Sequence, residues 1–62
     1  MIDYKKAQNS LFYARRYLGT AEDEMCSERA VAAIRDLNIA ISNISEAIDF
    51  ISEQLLELDN QT

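Results

Sequence analysis

The sequence predicts an all-α fold: an antiparallel helical hairpin, with a short first helix and a long second helix, that assembles into a homo-oligomeric helical bundle. The chain has no proline and one glycine, so few positions interrupt a helix. Its apolar residues recur at alternating spacings of three and four, which is the period of one helix face. Its 62 residues form at most one domain, 1–62, and a domain of this size buries only about 60% of its unfolded surface.

The first helix is predicted over about residues 4–18. Asp3 is suited to be its N-cap, because a carboxylate oxygen can accept the free amides of the first turn. Gly19 follows the last apolar residue, where a helix often ends in the left-handed conformation. The apolar face of this helix consists of Tyr4, Ala7, Leu11, Ala14 and Leu18.

The second helix is predicted over about residues 28–58, after a link of residues 19–27 in which Thr20 or Ser27 can cap its start. Its apolar residues occupy heptad positions a and d through four heptads, which is typical of coiled-coil packing. They form the predicted oligomer interface: Ile34, Leu37, Ile41, Ile44, Ile48, Ile51, Leu55 and Leu58. The flanking positions hold Ala33, Ala40 and Ala47 on one side and Asn38, Ser45 and Ser52 on the other, and such small flanks favour a multi-helix bundle.

The two predicted helices differ in length, at about 22 Å and about 46 Å. The first helix would therefore cover only half of the second, and the apolar residues from about Ser45 to Leu58 would remain in water. We expect a second copy of the chain to cover them in a homodimer, because most soluble oligomers contain identical subunits. A higher oligomer or an unidentified protein partner is the alternative, and the sequence leaves parallel and antiparallel packing of the long helices open.

Charge divides the chain unevenly. Residues 1–18 carry a net charge of +3 and residues 19–62 carry −8, which together give −5. Four carboxylates form an acidic ridge along the outer side of the second helix, and with one aromatic residue they are the partner-binding candidates: Glu46, Asp49, Glu53, Glu57 and Phe50. This pattern predicts a non-enzymatic protein–protein interaction module, such as a small regulator, inhibitor, adaptor or chaperone-like subunit. The alternative interpretation of the ridge is a solvated face that keeps the protein soluble.

The outer side of the first helix supports an alternative, which is RNA or DNA binding. Cations alternate there with aromatic and amide side chains, a combination that can contact phosphates and stack on bases. The candidate residues are Lys5, Lys6, Asn9, Phe12, Tyr13 and Arg16. In its small size, helical hairpin and basic-aromatic first helix, the chain resembles Rop, an RNA-binding hairpin dimer. The resemblance implies nucleic-acid binding through the first helix.

A third possibility is a structural subunit of a larger helical assembly. Ile39, Phe50 and Leu56 lie off the main apolar row, and covering them too would require more than two chains.

Catalytic, cofactor and metal-binding roles are not expected. The chain has no histidine and no glycine-rich phosphate loop, and Cys26 is its one cysteine. Acidic neighbours of Cys26 disfavour its thiolate, so a nucleophilic role is not expected. Because no stretch is apolar enough for a membrane span or a signal peptide, we expect a cytoplasmic protein without membrane contact.

Overall fold

The computed structural model describes residues 1–60 and contains two helices joined by a short turn. Helix α1 runs Lys5–Cys26 over 22 residues, and helix α2 runs Ala30–Asn60 over 31 residues. The helices fold back on each other along their lengths and form a rod with Cα extents of 53, 15 and 9 Å. The predicted all-α helical hairpin is therefore confirmed.

Small residues form the seam between α1 and α2. Every buried apolar side chain in the described part of the chain is an alanine, and these alanines recur every seven residues on each helix: Ala7, Ala14 and Ala21 on α1, and Ala33, Ala40 and Ala47 on α2. Three polar residues, Ser10, Glu24 and Asp36, are buried beside them. Because the seam contains no bulky side chain, the two helices pack through the predicted flanking alanines and not through the isoleucine row.

The predicted end of the first helix at Leu18 is wrong. Gly19 lies inside α1 without a positive φ, and Thr20 is also helical, with its hydroxyl donating to the carbonyl oxygen of Arg16 at 3.1 Å. A glycine inside a helix costs roughly 1 kcal/mol relative to alanine. The alanine row of α1 continues beyond this position to Ala21, so packing against α2 outweighs the cost.

The true end of α1 is a left-handed turn at Glu28, which has a φ of 58°. The amide of Arg29 donates to the carbonyl oxygen of Glu24 at 2.8 Å, and the amide of Glu28 donates to that of Met25 at 3.1 Å. This pair of bonds is the Schellman motif, in which the residue at the position of Glu28 is usually glycine. The predicted start of helix two at residue 28 is therefore two residues early, and Ser27 closes α1 instead of capping α2.

The start of α1 is tied to the far end of α2. The carboxylate of Asp3 accepts the amide of Lys5 at 3.0 Å, so Asp3 caps the first turn as predicted, although Tyr4 is the boundary residue. The side-chain amide of Gln54 pairs with both the backbone N–H and the carbonyl oxygen of Asp3. These bonds fix the register of the hairpin and place residue 3 beside residue 54.

The difference in length between the two helices is therefore smaller than predicted. Helix α1 is about 33 Å long, and with residues 1–4 it follows α2 as far as Gln54. An apolar face of α2 stays uncovered nevertheless, because the seam alanines and not the isoleucines face α1.

Within residues 1–60, neither helix combines the length and apolar character that a membrane-spanning segment requires.

Candidate functional site

The hairpin has one apolar face and one polar face because the same types of residue follow the buried alanines in both helices. The residue three positions after each alanine is polar or aromatic, as in Ser10, Tyr17 and Glu24 on α1 and Asp36, Asn43 and Phe50 on α2. The residue four positions after each alanine is a large aliphatic or methionine. In an α-helix these two positions lie on opposite sides of the alanine. Because α1 and α2 are antiparallel, the apolar sides of both helices lie on one side of the rod, and their polar sides lie on the other.

The apolar face includes the whole predicted oligomer interface of α2. Ile34, Ile41 and Ile48 are 58–59% exposed, and Leu55 is 52% exposed. Leu37, Ile51 and Leu58 lie closer to the seam and are partly buried, and Ile44 is 37% exposed. The structure therefore leaves this row in contact with solvent in a single chain.

Helix α1 extends the apolar face with its own row of large apolar residues. Tyr4, Leu11, Leu18 and Met25 recur every seven residues and are 38–52% exposed. The sequence prediction placed Tyr4, Leu11 and Leu18 on one apolar face with Ala7 and Ala14, but in the structure the alanines are buried and the large residues are exposed. The signal that separates the two rows is residue size, because close-packed helices select the small side chains for their contact. Met25 was missed because the predicted helix stopped before it.

The surface area of the chain agrees with an uncovered face. The hairpin exposes 4979 Å², whereas a compact monomer of 7.1 kDa is expected to expose about 4,100 Å². The excess of about 900 Å² is close to the area that one partner buries in a standard-sized stable interface, about 800 Å².

The polar face brings together the two surfaces that the sequence offered as rivals. The Lys6 ammonium lies 5.7 Å from the centroid of the Phe50 ring, within the range of a cation–π contact. A shallow groove between the helices is lined by Lys6, Asn9, Ser10, Tyr13, Asn43, Glu46 and Phe50. Basic and acidic candidate residues thus share one groove, and Phe50 is half-buried within it.

The remaining candidates lie on the outer sides of the two helices. Phe12 is 50% exposed and meets the Tyr13 ring edge to face, with centroids 5.6 Å apart. Lys5 and Arg15 are exposed near Phe12, and Arg16 lines a second small hollow with Tyr13. The other carboxylates of the acidic ridge, Asp49, Glu53 and Glu57, are exposed on α2. Of the off-row apolar residues, Leu56 is exposed and Ile39 is partly buried.

A buried carboxyl pair near the turn was not predicted. Glu24 is 4% exposed and Asp36 is 5% exposed, and Glu24 Oε1 has no hydrogen-bond partner. Arg35 is the nearest cation, with guanidinium nitrogens 4.0 Å from Glu24 Oε2 and 3.8 Å from Asp36 Oδ1. Hydrogen bonding to Asp36, then burial, then the charge of Asp36 raise the pKa of Glu24 above its ordinary value, while Arg29 and Arg35 act in the opposite direction.

The potential metal ligands of the chain and its free thiol all lie within the described residues. Residues 1–60 contain no group of three or more potential His, Cys, Asp or Glu ligands placed to hold a metal ion. Cys26 is an exposed free thiol at the end of α1. The chain matches no protein-family model, no curated protein and no solved structure, so a functional proposal depends on the two faces of the hairpin.

Proposed function

We propose that this chain is a non-enzymatic protein-interaction module that pairs with a second copy of itself through the apolar face. The observation that supports the proposal is the continuity of this face across both helices. Rows from α1 and α2 lie side by side, and their large side chains remain about half exposed in the single hairpin. Isolated exposed apolar residues are ordinary on protein surfaces, but a continuous patch of this extent marks an interaction site.

The size of the face suits a second copy. The broad side of the rod measures 53 by 15 Å, and such a rectangle covers about 800 Å², which is the area per partner of a standard stable interface. A twofold axis brings the same face of each chain together, so one apolar surface supplies both sides of the contact. Each hairpin would then contribute two helices to a four-helix bundle, with the alanine seams inside each hairpin and the large aliphatic residues between hairpins.

The expected energy of pairing is large for a chain of this size. Burying one leucine or isoleucine side chain contributes roughly 1.5–3 kcal/mol. Within residues 1–60, the buried side chains of the hairpin seam are alanines, one serine and two carboxyl side chains, so the seam contributes comparatively little apolar burial by itself. Pairing and folding are therefore expected to be coupled.

The experiment that tests this proposal removes two residues of the apolar face without touching the hairpin seam. The double variant Ile41→Gln, Ile48→Gln removes four large apolar side chains from each dimer. We expect the dimer dissociation constant, measured by sedimentation equilibrium, to rise by more than about a thousandfold.

A matched control removes two equally exposed apolar residues from outside the face. Phe12 is 50% exposed and Leu56 is 62% exposed, and both lie on the sides of their helices that face away from the seam. The double variant Phe12→Gln, Leu56→Gln should leave the dissociation constant within a few-fold of the unmodified chain. A wild-type chain that sediments as a folded monomer at high micromolar concentration would refute the proposal.

In such a dimer the polar face remains on the outside. The acidic ridge and the basic-aromatic side of α1 are then both available to a further macromolecule. Their sharing of one groove, with Glu46 beside Lys6 and Tyr13, weakens the case for phosphate binding at that groove, because a carboxylate there repels an anionic ligand. Binding of a protein or of nucleic acid at the polar face stays a prediction.

A further inference from the structure

We infer that the long helices of two copies pair antiparallel, about a twofold axis perpendicular to the rod, so that the two hairpin turns lie at opposite ends of the bundle. This inference rests on the proposed self-association. Two face-to-face arrangements satisfy a twofold axis. In one, α2 lies on the second copy's α2 and the turns are at opposite ends; in the other, α1 lies on the second copy's α2 and the turns are at the same end.

The two helices contribute unequal widths to the apolar face, and this difference separates the arrangements. At the position directly after each alanine, α2 carries Ile34, Ile41 and Ile48, whereas α1 carries Gln8, Arg15 and Glu22. These positions point about 100° away from the alanines, toward the edge of the face where the second copy arrives. The edge of the face is therefore isoleucine on α2 and polar or charged on α1.

The arrangement that places apolar edges together, and polar edges together, is the one in which the two long helices pair. With the turns at opposite ends, the isoleucine edge of α2 packs against the same edge of the second copy, and the polar edges of α1 meet at the other side of the bundle. With the turns at the same end, each isoleucine edge would lie against glutamine, arginine and glutamate. That arrangement would leave the isoleucines, which are 58–59% exposed in the single hairpin, next to polar groups that need water.

The register of the hairpin permits one twofold axis to serve both helices. The row from Ile34 to Leu55 has its midpoint between residues 44 and 45, and the row from Tyr4 to Met25 has its midpoint between residues 14 and 15. The Asp3–Gln54 hydrogen bonds and the Lys6–Phe50 contact place residues 14 and 15 across from residues 42 and 43. The two midpoints thus agree in height within about 3 Å.

This agreement pairs the side chains layer by layer. Ile41 would lie opposite the second copy's Ile48, and Leu11 would lie opposite the second copy's Leu18. At the ends, Ile34 would meet the second copy's Leu55. Arg15 would approach the second copy's Arg15 at the polar edge, where both guanidinium groups are exposed and solvent screens their repulsion.

The native cysteine permits a direct test. Cys26 is exposed, lies at the turn end of α1, and is the one cysteine of the chain. A nitroxide label on Cys26 of the full chain, measured by double electron–electron resonance, reports the separation of the two turn ends. Because Cys26 lies about 17 Å from the twofold axis along the helix, we expect labels about 35–40 Å apart. If the turns lay at the same end, the two labels would be less than about 25 Å apart. In that arrangement only the width of the bundle separates them, and neighbouring helix axes are about 8–10 Å apart.

A second label separates the failure of this inference from the failure of self-association. Ser42 is exposed near the middle of α2, so in both arrangements its separation from the second copy's Ser42 is set by the width of the bundle and not by its length. We therefore expect a dipolar signal from a Cys26→Ser, Ser42→Cys chain in either case. That signal together with a short Cys26 distance would overturn the antiparallel pairing of the long helices and leave the dimer intact. The loss of dipolar signal at both sites would overturn self-association and this inference with it.

Discussion

The buried pair of Glu24 and Asp36 is the least expected feature at the scale of single residues. Because the pKa of Glu24 is raised in the folded chain, the folded state binds a proton at this site more tightly than the unfolded state does. The resulting stabilisation is fully present below the ordinary glutamate pKa and is lost as the pH rises through the raised value. We therefore expect the free energy of unfolding to fall as the pH rises through that range and to change less steeply at neutral pH.

Replacing the Glu24 side chain tests whether the Glu24–Asp36 pair sets the pH dependence of stability. In Glu24→Gln the neutral amide can donate to Asp36 at every pH, so we expect a higher melting temperature at pH 7 and a flatter pH profile of stability. Glu22→Gln removes the same charge from an exposed position two residues earlier and should keep the slope of the unmodified chain. An unchanged slope in Glu24→Gln would show that general charge repulsion, and not the pair, sets the pH dependence.

At the scale of elements, the turn between α1 and α2 contains a backbone conformation that lowers stability and that a single substitution can relieve. Glu28 holds a left-handed backbone conformation, which costs a residue with a Cβ atom about 1–2 kcal/mol. Glycine adopts it freely but is also more mobile in the unfolded chain, so Glu28→Gly should stabilise the hairpin by roughly 0.5–1 kcal/mol. Urea unfolding at a fixed protein concentration measures the change.

Alanine at the same position is the matched control for charge. Glu28→Ala removes the carboxylate but retains the Cβ atom, so its stability should stay close to that of the unmodified chain. If Glu28→Ala and Glu28→Gly stabilise equally, the gain comes from relieving repulsion among the acidic neighbours and the backbone explanation fails.

The helices themselves were largely predictable, but their boundaries were not. Spacings of three and four identify both helices and the heptad row of α2 without knowledge of the fold. The local cue of Gly19 after Leu18 predicted a helix end, yet the alanine row continues through it, because a tertiary contact outweighs a single unfavourable residue. The actual turn has glutamate where local rules expect glycine, so no composition cue marks it.

At the scale of the whole molecule, coupled folding and pairing predict a melting temperature that depends on concentration. If the folded form is a dimer, dilution shifts the equilibrium toward unfolded chains. For two chains of this length we expect the melting temperature to fall by roughly 10 °C for each hundredfold dilution. Thermal melts followed by circular dichroism at 222 nm, at protein concentrations a hundredfold apart, measure this change in melting temperature. A melting temperature that stays constant on dilution would indicate that the single hairpin is stable alone.

The existence of an uncovered apolar surface could be predicted from the sequence, although its cause could not. Unequal helix lengths predicted exposure of only the second half of α2, whereas the structure leaves the row exposed along the full helix. Two adjacent rows, alanine and isoleucine, are equally regular in the sequence, so their spacing does not show which row faces inward. The carboxyl pair was missed because Glu24 and Asp36 come from different helices, and only the packing of those helices brings them together.

The alanine seam has a thermal consequence. Bringing methyl groups together withdraws few carbon atoms from hydration water, whereas joining two isoleucine-rich faces withdraws many. Separating the two chains therefore contributes more to the heat capacity of denaturation than parting the two helices at their alanine seam does. A calorimeter should consequently record a large negative heat capacity of association for a molecule whose own interior is almost devoid of bulky groups.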